Sequence, residues 1–180
     1  MKKFLILAAI IAIFLVPSSA QAFEVHSEAS AQLVSNIPVN TNALDMRIKA
    51  LKNVFARHNS PLVDEAANYI KYADLYGVDW KLLPAISGLE SSFGLHLHAG
   101  SHNAYGWGGG RIYFETWEDG IRVITKALHE RYGVGLEADP WSIGPTYAES
   151  ETWAVRVNRF MNEINEEYLK LSTFTMVPTI

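Results

Sequence analysis

Glu90 is the one carboxylate in this chain placed to act as an acid. It closes an apolar stretch, VDWKLLPAISGLESSFG from Val78 to Gly94, and a loop of glycines, histidines and aromatics follows, LHLHAGSHNAYGWGGGR to Arg111. Leu82, Ile86, Leu89 and Phe93 recur at helical spacing, with Asp79 as the expected N-cap and Gly94 as a left-handed stop. Glu90 lies beside that stripe with Leu83 and Ile86, so its carboxyl is expected to be partly shielded from water. Desolvation and the negative end of a helix both raise a carboxyl pKa. An acid that keeps its proton near neutral pH can protonate a leaving oxygen such as that of a glycosidic bond. A solvated glutamate ending a helix has the same local sequence, so the loop must decide between the two.

That loop carries Asn103-Ala104-Tyr105-Gly106-Trp107-Gly108-Gly109-Gly110. Glycines let a backbone come close to a ligand, flat rings stack on sugar faces, and amides fix hydroxyls. Tyr105 and Trp107 sit among glycines rather than on an apolar stripe, which favours a ligand-facing role over core packing. Trp80, Trp117 and Trp153 stand at helix starts on inward faces and read as core. His96, His98 and His102 are close in sequence, but flexible glycine-flanked spacing fixes no ligand geometry, so they read as cleft-wall residues and no metal is expected. Ser91 lacks a nucleophile-elbow context and reads as a hydrogen-bonding neighbour that holds Glu90.

The segment Leu83 to Phe93, with its Glu90-Ser91 pair, resembles the catalytic helix of the lysozyme-like superfamily, and most of all lytic transglycosylases and endo-β-N-acetylglucosaminidase-like domains. Asn103-Ala104-Tyr105-Gly106 is similar to the Asn-x-(aromatic)-Gly of the glucosaminidase branch. Phe114-Glu115-Thr116-Trp117 with Gly120-Ile121 resembles the opening of its next helix, and Tyr147-Ala148 its closing tyrosine segment. The likeness covers Pro61 to Glu167, four short motifs in order. It implies that Glu90 is the catalytic acid and that Tyr147 reaches the cleft, where the residues alone read as packing. Ser91, Asn103, Tyr105, Trp107 and Tyr147 form the expected substrate-binding set.

Met1–Ala22 reads as an export signal: Lys2 and Lys3 precede the apolar run Phe4–Val16, Pro17 ends it, and Ala20-Gln21-Ala22 offers a cleavage site. The run is short of the ~20 residues of a bilayer span, so no membrane span is expected after cleavage. There is no cysteine, hence no disulfide, lipid anchor or thiol nucleophile. The formal charge is −4, and removing Lys2 and Lys3 makes it −6. That balance argues against nucleic acid as a partner.

After a leader, 23–40, a single domain is expected over 41–171. Its first helix carries Leu44, Ile48, Leu51 and Phe55, capped by Thr41 or Asn42. The next opens on Ser60 and Pro61, buries Val63, Ala66, Ile70 and Ala73, and stops at Gly77. Pro84 predicts a kink or a late start in the Glu90 helix. Arg111–Phe114 predicts a short hairpin beside the cleft. Thr116 to Asp119 reads as a capping box for a helix facing inward through Trp117, Ile121, Ile124 and Leu128 and stopped by Gly133. A turn-rich connection from Asp139 to Ala148 leaves room for one short helix. Ser150 is expected to cap the last helix, with Trp153, Val157, Phe160, Ile164 and Tyr168 inward, and 172–180 is an unplaced tail. The fold class is mainly α, a lysozyme-like α+β bundle around a catalytic helix.

The expected function is cleavage of β-1,4 bonds between N-acetylhexosamines of peptidoglycan by an exported, monomeric, cofactor-free enzyme. Hydrolysis needs a second carboxylate, and Glu115, Glu118, Asp119 and Glu149 are the candidates, none singled out. Transglycosylation uses the substrate's own hydroxyl and needs none. The opposing expectation is an exported glycan-binding protein of the same fold without turnover.

Overall fold

Apolar residues three and four apart bury one face of a helix. That period runs through most of residues 41–175, the part of the chain that a computed structural model describes, with side chains described for 46–173. Six α-helices follow in order: α1 (Thr41–Arg57), α2 (Ala66–Tyr76), α3 (Leu82–Ser91), α4 (Trp117–Tyr132), α5 (Pro140–Tyr147) and α6 (Trp153–Thr175), with a 3-10 turn, Pro61–Glu65, leading into α2. The expected signal Met1–Ala22, the leader 23–40 and residues 176–180 lie outside the described residues. The class is mainly α. Among the described residues there is no strand, so the hairpin expected at Arg111–Phe114 is absent. Its backbone is claimed by the neighbouring loop instead: Asn103 Nδ2 donates to the Ile112 carbonyl at 2.9 Å, and Phe114 N to the Ser101 carbonyl at 2.9 Å.

Local chemistry sets most helix ends. Ser60 Oγ accepts from Leu62 N at 3.0 Å with Pro61 first in the turn. Gly77 and Gly133 take the left-handed conformation that ends α2 and α4. Thr116 Oγ1 caps α4 through Asp119 N at 3.1 Å. α3 starts late, as Pro84 predicts, and neither of its ends uses the expected cap. Asp79 Oδ1 accepts from Lys81 N, so it caps the turn ahead of the helix, which begins at Leu82. This late start puts Pro84 in the first turn, where a missing amide costs no helical bond. The left-handed stop is Ser92, at φ 52°, before Gly94 is reached.

α3 is the central helix: Leu82 through Gly88 are all buried, as is Ser91. It packs against α6, which also lies against α1 and α5, while α2 lies against α1 and α4. Gly88 makes the close approach possible, since a Cβ there would fall 2.7 Å from the Phe93 ring and 3.1 Å from Phe160. Phe55 of α1 is wholly buried with its ring centroid 5.5 Å from Tyr69 and 5.6 Å from Phe93. Burying each such side chain stabilises the fold by ~1.5–3 kcal/mol. α6 begins at Trp153 rather than just after Ser150, because Ser150 O accepts Trp153 N across an intervening turn. It runs on to Thr175, into the segment read as a tail. Among the described residues, no helix is long and apolar enough to cross a membrane.

Candidate functional site

α3 delivers Glu90 to the surface at the end of its buried course, and α6 brings Trp153 to meet it. The indole Nε1 donates to Glu90 Oε1 at 3.1 Å. Glu90 is exposed as a residue, yet partial burial of its carboxyl raises the pKa above the usual carboxylate range. The Trp153 hydrogen bond and the nearby Arg156 charge oppose that rise without cancelling it. The expected partial shielding of Glu90 is therefore present.

Three open hollows meet at Gly106. The first, ≈ 420 Å³, takes in Glu90, Tyr147, Glu149, Trp153 and Arg156. The second, ≈ 410 Å³, lies between Trp107, Tyr132, Arg131 and Tyr147. The third, ≈ 550 Å³, takes in Glu90, His96, His98, Asn103 and Gly110. An aromatic run lines the first two: Tyr147 lies 4.9 Å from Trp153, 5.5 Å from Tyr132 and 6.3 Å from Trp107, centroid to centroid. Burial, and then the negative charge of Glu90, pushes the Tyr147 phenol far above its ordinary range, so it stays a neutral hydroxyl.

The expected substrate-binding set divides. Trp107 and Tyr147 are half-buried and reach the hollows, Tyr147 as the resemblance implied. Tyr105 is 1% exposed and donates to or accepts from Tyr69 Oη at 2.9 Å, so it forms the floor rather than a stacking platform. Asn103 is buried and spends its amide on the loop: Nδ2 donates to the Trp107 and Ile112 carbonyls at 2.9 Å, and Oδ1 accepts from Trp107 N at 3.1 Å. Ser91 is buried as well. Its Oγ donates to the Ala104 carbonyl at 2.8 Å and accepts from Gly94 N at 2.8 Å. These two residues build the loop that faces Glu90 through bonds to its backbone, and Asn103 also lines the third hollow.

Of the candidate second carboxylates, Glu149 alone lines the Glu90 hollow. Glu118 is tied to Lys71 at 2.9 Å and Tyr72 at 2.8 Å, which holds it below its ordinary range, and Asp119 pairs with Arg122 at 2.7 Å. Among the described residues no cluster of His, Asp and Glu is arranged to hold a metal. His102 is engaged with the Phe114 carbonyl and the edge of Trp117.

Sequence reasoning missed the polar edge of Trp153, read as core, and did not single out Arg156, Tyr132 or Arg131. Arg156 lies three residues beyond Trp153 on α6, so helical spacing from that inward tryptophan was the available signal. No protein-family model, curated protein or solved structure matches the chain.

Proposed function

We propose that the protein is an exported glycosidase of lysozyme-like fold that cleaves β-1,4 bonds between N-acetylhexosamines in peptidoglycan, with Glu90 as general acid. The observation that carries this reading is a half-enclosed carboxyl, raised in pKa and held by an indole N–H, that lines two of the three hollows meeting at Gly106, beside a run of aromatic rings. Glu90 protonates the leaving oxygen while positive charge develops on the neighbouring sugar. Trp107 and Tyr147 offer faces for sugar rings, and the Glu90 carboxylate takes a proton back in the second step. Glu149, in the same hollow, favours activation of water and hence hydrolysis. Direct attack by a substrate hydroxyl remains the competing second step. Export rests on the Met1–Ala22 sequence.

The test is digestion of purified peptidoglycan by the chain and its Glu90→Gln variant, with products read by mass spectrometry. The expected outcome is new reducing ends from the native chain, with the variant slower by ~10²–10⁴-fold, as for loss of a general acid. Anhydro ends would place the reaction with transglycosylases. Equal products from both chains would remove Glu90 from the chemistry. Intact glycan that stays bound to both would turn the reading to a binding protein.

A further inference from the structure

The two oxygens of the Glu90 carboxyl have different surroundings. Oε1 faces the Trp153 N–H at 3.1 Å. Oε2 faces Gly106 and lies 3.1 Å from where a Cβ on that residue would stand. An indole nitrogen only donates. In a protonated carboxyl the carbonyl oxygen is the better acceptor and the other oxygen carries the hydrogen. A donor fixed at Oε1 therefore makes Oε1 the carbonyl oxygen.

We propose that Trp153 is a positioning residue that places the acidic proton of Glu90 on Oε2, aimed over the bare backbone of Gly106, so that a glycosidic oxygen is protonated only from that side. The inference rests on the reading of Glu90 as a general acid. The indole is in no position to follow the carboxyl. It is 2% exposed, backed by the Tyr147 ring at 4.9 Å and 31°, and Gly144 leaves it only van der Waals room, 3.4 Å from Cε3 to a Cβ. On the other side, Gly106 has φ +65°, which favours glycine, and any side chain there would cover Oε2.

In the step itself the proton leaves Oε2 for the glycosidic oxygen. The C–O bond breaks with its electron pair kept on that oxygen, and water or a substrate hydroxyl then takes the sugar cation and gives its proton to the Glu90 carboxylate. The carboxylate left behind keeps the bond from Trp153, now charge-assisted and stronger. The same N–H thus directs the proton before transfer and stabilises the anion after it. The other titratable or charged groups facing Glu90 are Arg156 on α6, Glu149 in the connection before it, Tyr147 on α5, and Tyr105, His96 and His98 in the loop.

The test uses the full chain with Trp153 replaced by 3-benzothienylalanine, which keeps the ring shape and exchanges N–H for sulfur, beside Trp153→Phe. Infrared difference spectra across a pH titration, assigned against Glu90→Gln, read the C=O stretch of protonated Glu90 without any substrate. Loss of the donor is expected to move that stretch to higher frequency. On peptidoglycan, kcat is expected to fall about tenfold with KM within about twofold, the pattern of lost positioning. The alkaline limb of the pH profile is expected to move up, because a bond favouring the carboxylate is gone. An unmoved stretch together with an unmoved alkaline limb would overturn the proposal. A moved stretch in chains that all leave glycan intact supports the placement of the proton and overturns the glycosidase reading instead.

Discussion

α4 and the segment just before it are held by contrasting means. α4 buries Ile121, Ile124 and Leu128 along one face, and its own backbone bonds run inside the helix. Residues 92–116 form no regular element, so their backbone groups need partners from elsewhere. Buried side chains supply many of them: Ser91 joins the Ala104 carbonyl to Gly94 N, and Asn103 joins Trp107 to Ile112. Ser101, wholly buried, accepts from Asn103 N at 3.2 Å. A helix is stabilised by many interchangeable apolar contacts. This loop rests on a few polar atoms, each with an assigned partner, and among the described residues no buried side-chain polar atom is left without one. Helices thus tolerate loss by degrees, while the loop that shapes the site depends on single residues.

The contrast predicts a separation of stability from activity. Truncation of the helical core has the largest effect on stability: Phe55→Ala is expected to lose ~3–5 kcal/mol in urea unfolding. The molecules that remain folded should keep the native pH profile, since Phe55 lines none of the three hollows. Asn103→Ala is expected to cost less, ~1–3 kcal/mol for polar groups left unpaired. Its cleavage rate per folded molecule, however, should fall further than that of Phe55→Ala, because Trp107 loses both its anchors to Asn103. Asn103→Asp refines the comparison: it keeps the acceptor for Trp107 N and loses the donor to the two carbonyls. Activity for Asp above that of Ala would show that the acceptor holds Trp107 even with an oxygen set against the two carbonyls. Equal activity for all three would mean that Asn103 does not organise the loop. Ser91→Ala, which unseats one bridge between α3 and the loop, is expected at ~1 kcal/mol with a smaller change in rate.

The same contrast decides what the sequence made legible. Periodicity found the helices, and capping chemistry found Ser60, Thr116, Gly77 and Gly133, because those signals are local. It also found Glu90, whose place beside an apolar stripe is a matter of spacing. Asn103 and Ser91 enter the expected substrate-binding set because a polar residue among glycines and aromatics has the same composition whether it faces substrate or its own backbone; both bond backbone here, and Asn103 lines a hollow as well. Only the fold distinguishes the two. Trp153 shows the opposite limit. Its place on an inward stripe was correct, but a stripe says which way a ring points and nothing of what meets its edge 63 residues away in sequence. The hairpin at Arg111–Phe114 failed for a related reason: strand-like residue types need a partner strand, and Asn103 and Ser101 had already taken the backbone groups.

The smallest predicted effect concerns Glu90 itself and sets burial against the polar hold. Its carboxyl is raised in pKa by desolvation, with Trp153 and Arg156 pulling the other way. A carboxyl whose folded pKa lies above its unfolded value contributes its full stability below the unfolded pKa and loses that contribution as pH rises through the folded one. Glu90→Gln carries no such charge and still offers an oxygen to the indole N–H. The variant is therefore expected to gain in melting temperature relative to the native chain as pH climbs from the ordinary carboxylate range, levelling off above the raised value. Every other ionisable group is common to both chains, so the difference between the two melting curves isolates Glu90. If the gap narrowed with rising pH, attraction to Arg156 and the indole would outweigh the burial. Glu90 would then give up its proton below the ordinary carboxylate range, as a carboxylate held in the scaffold would.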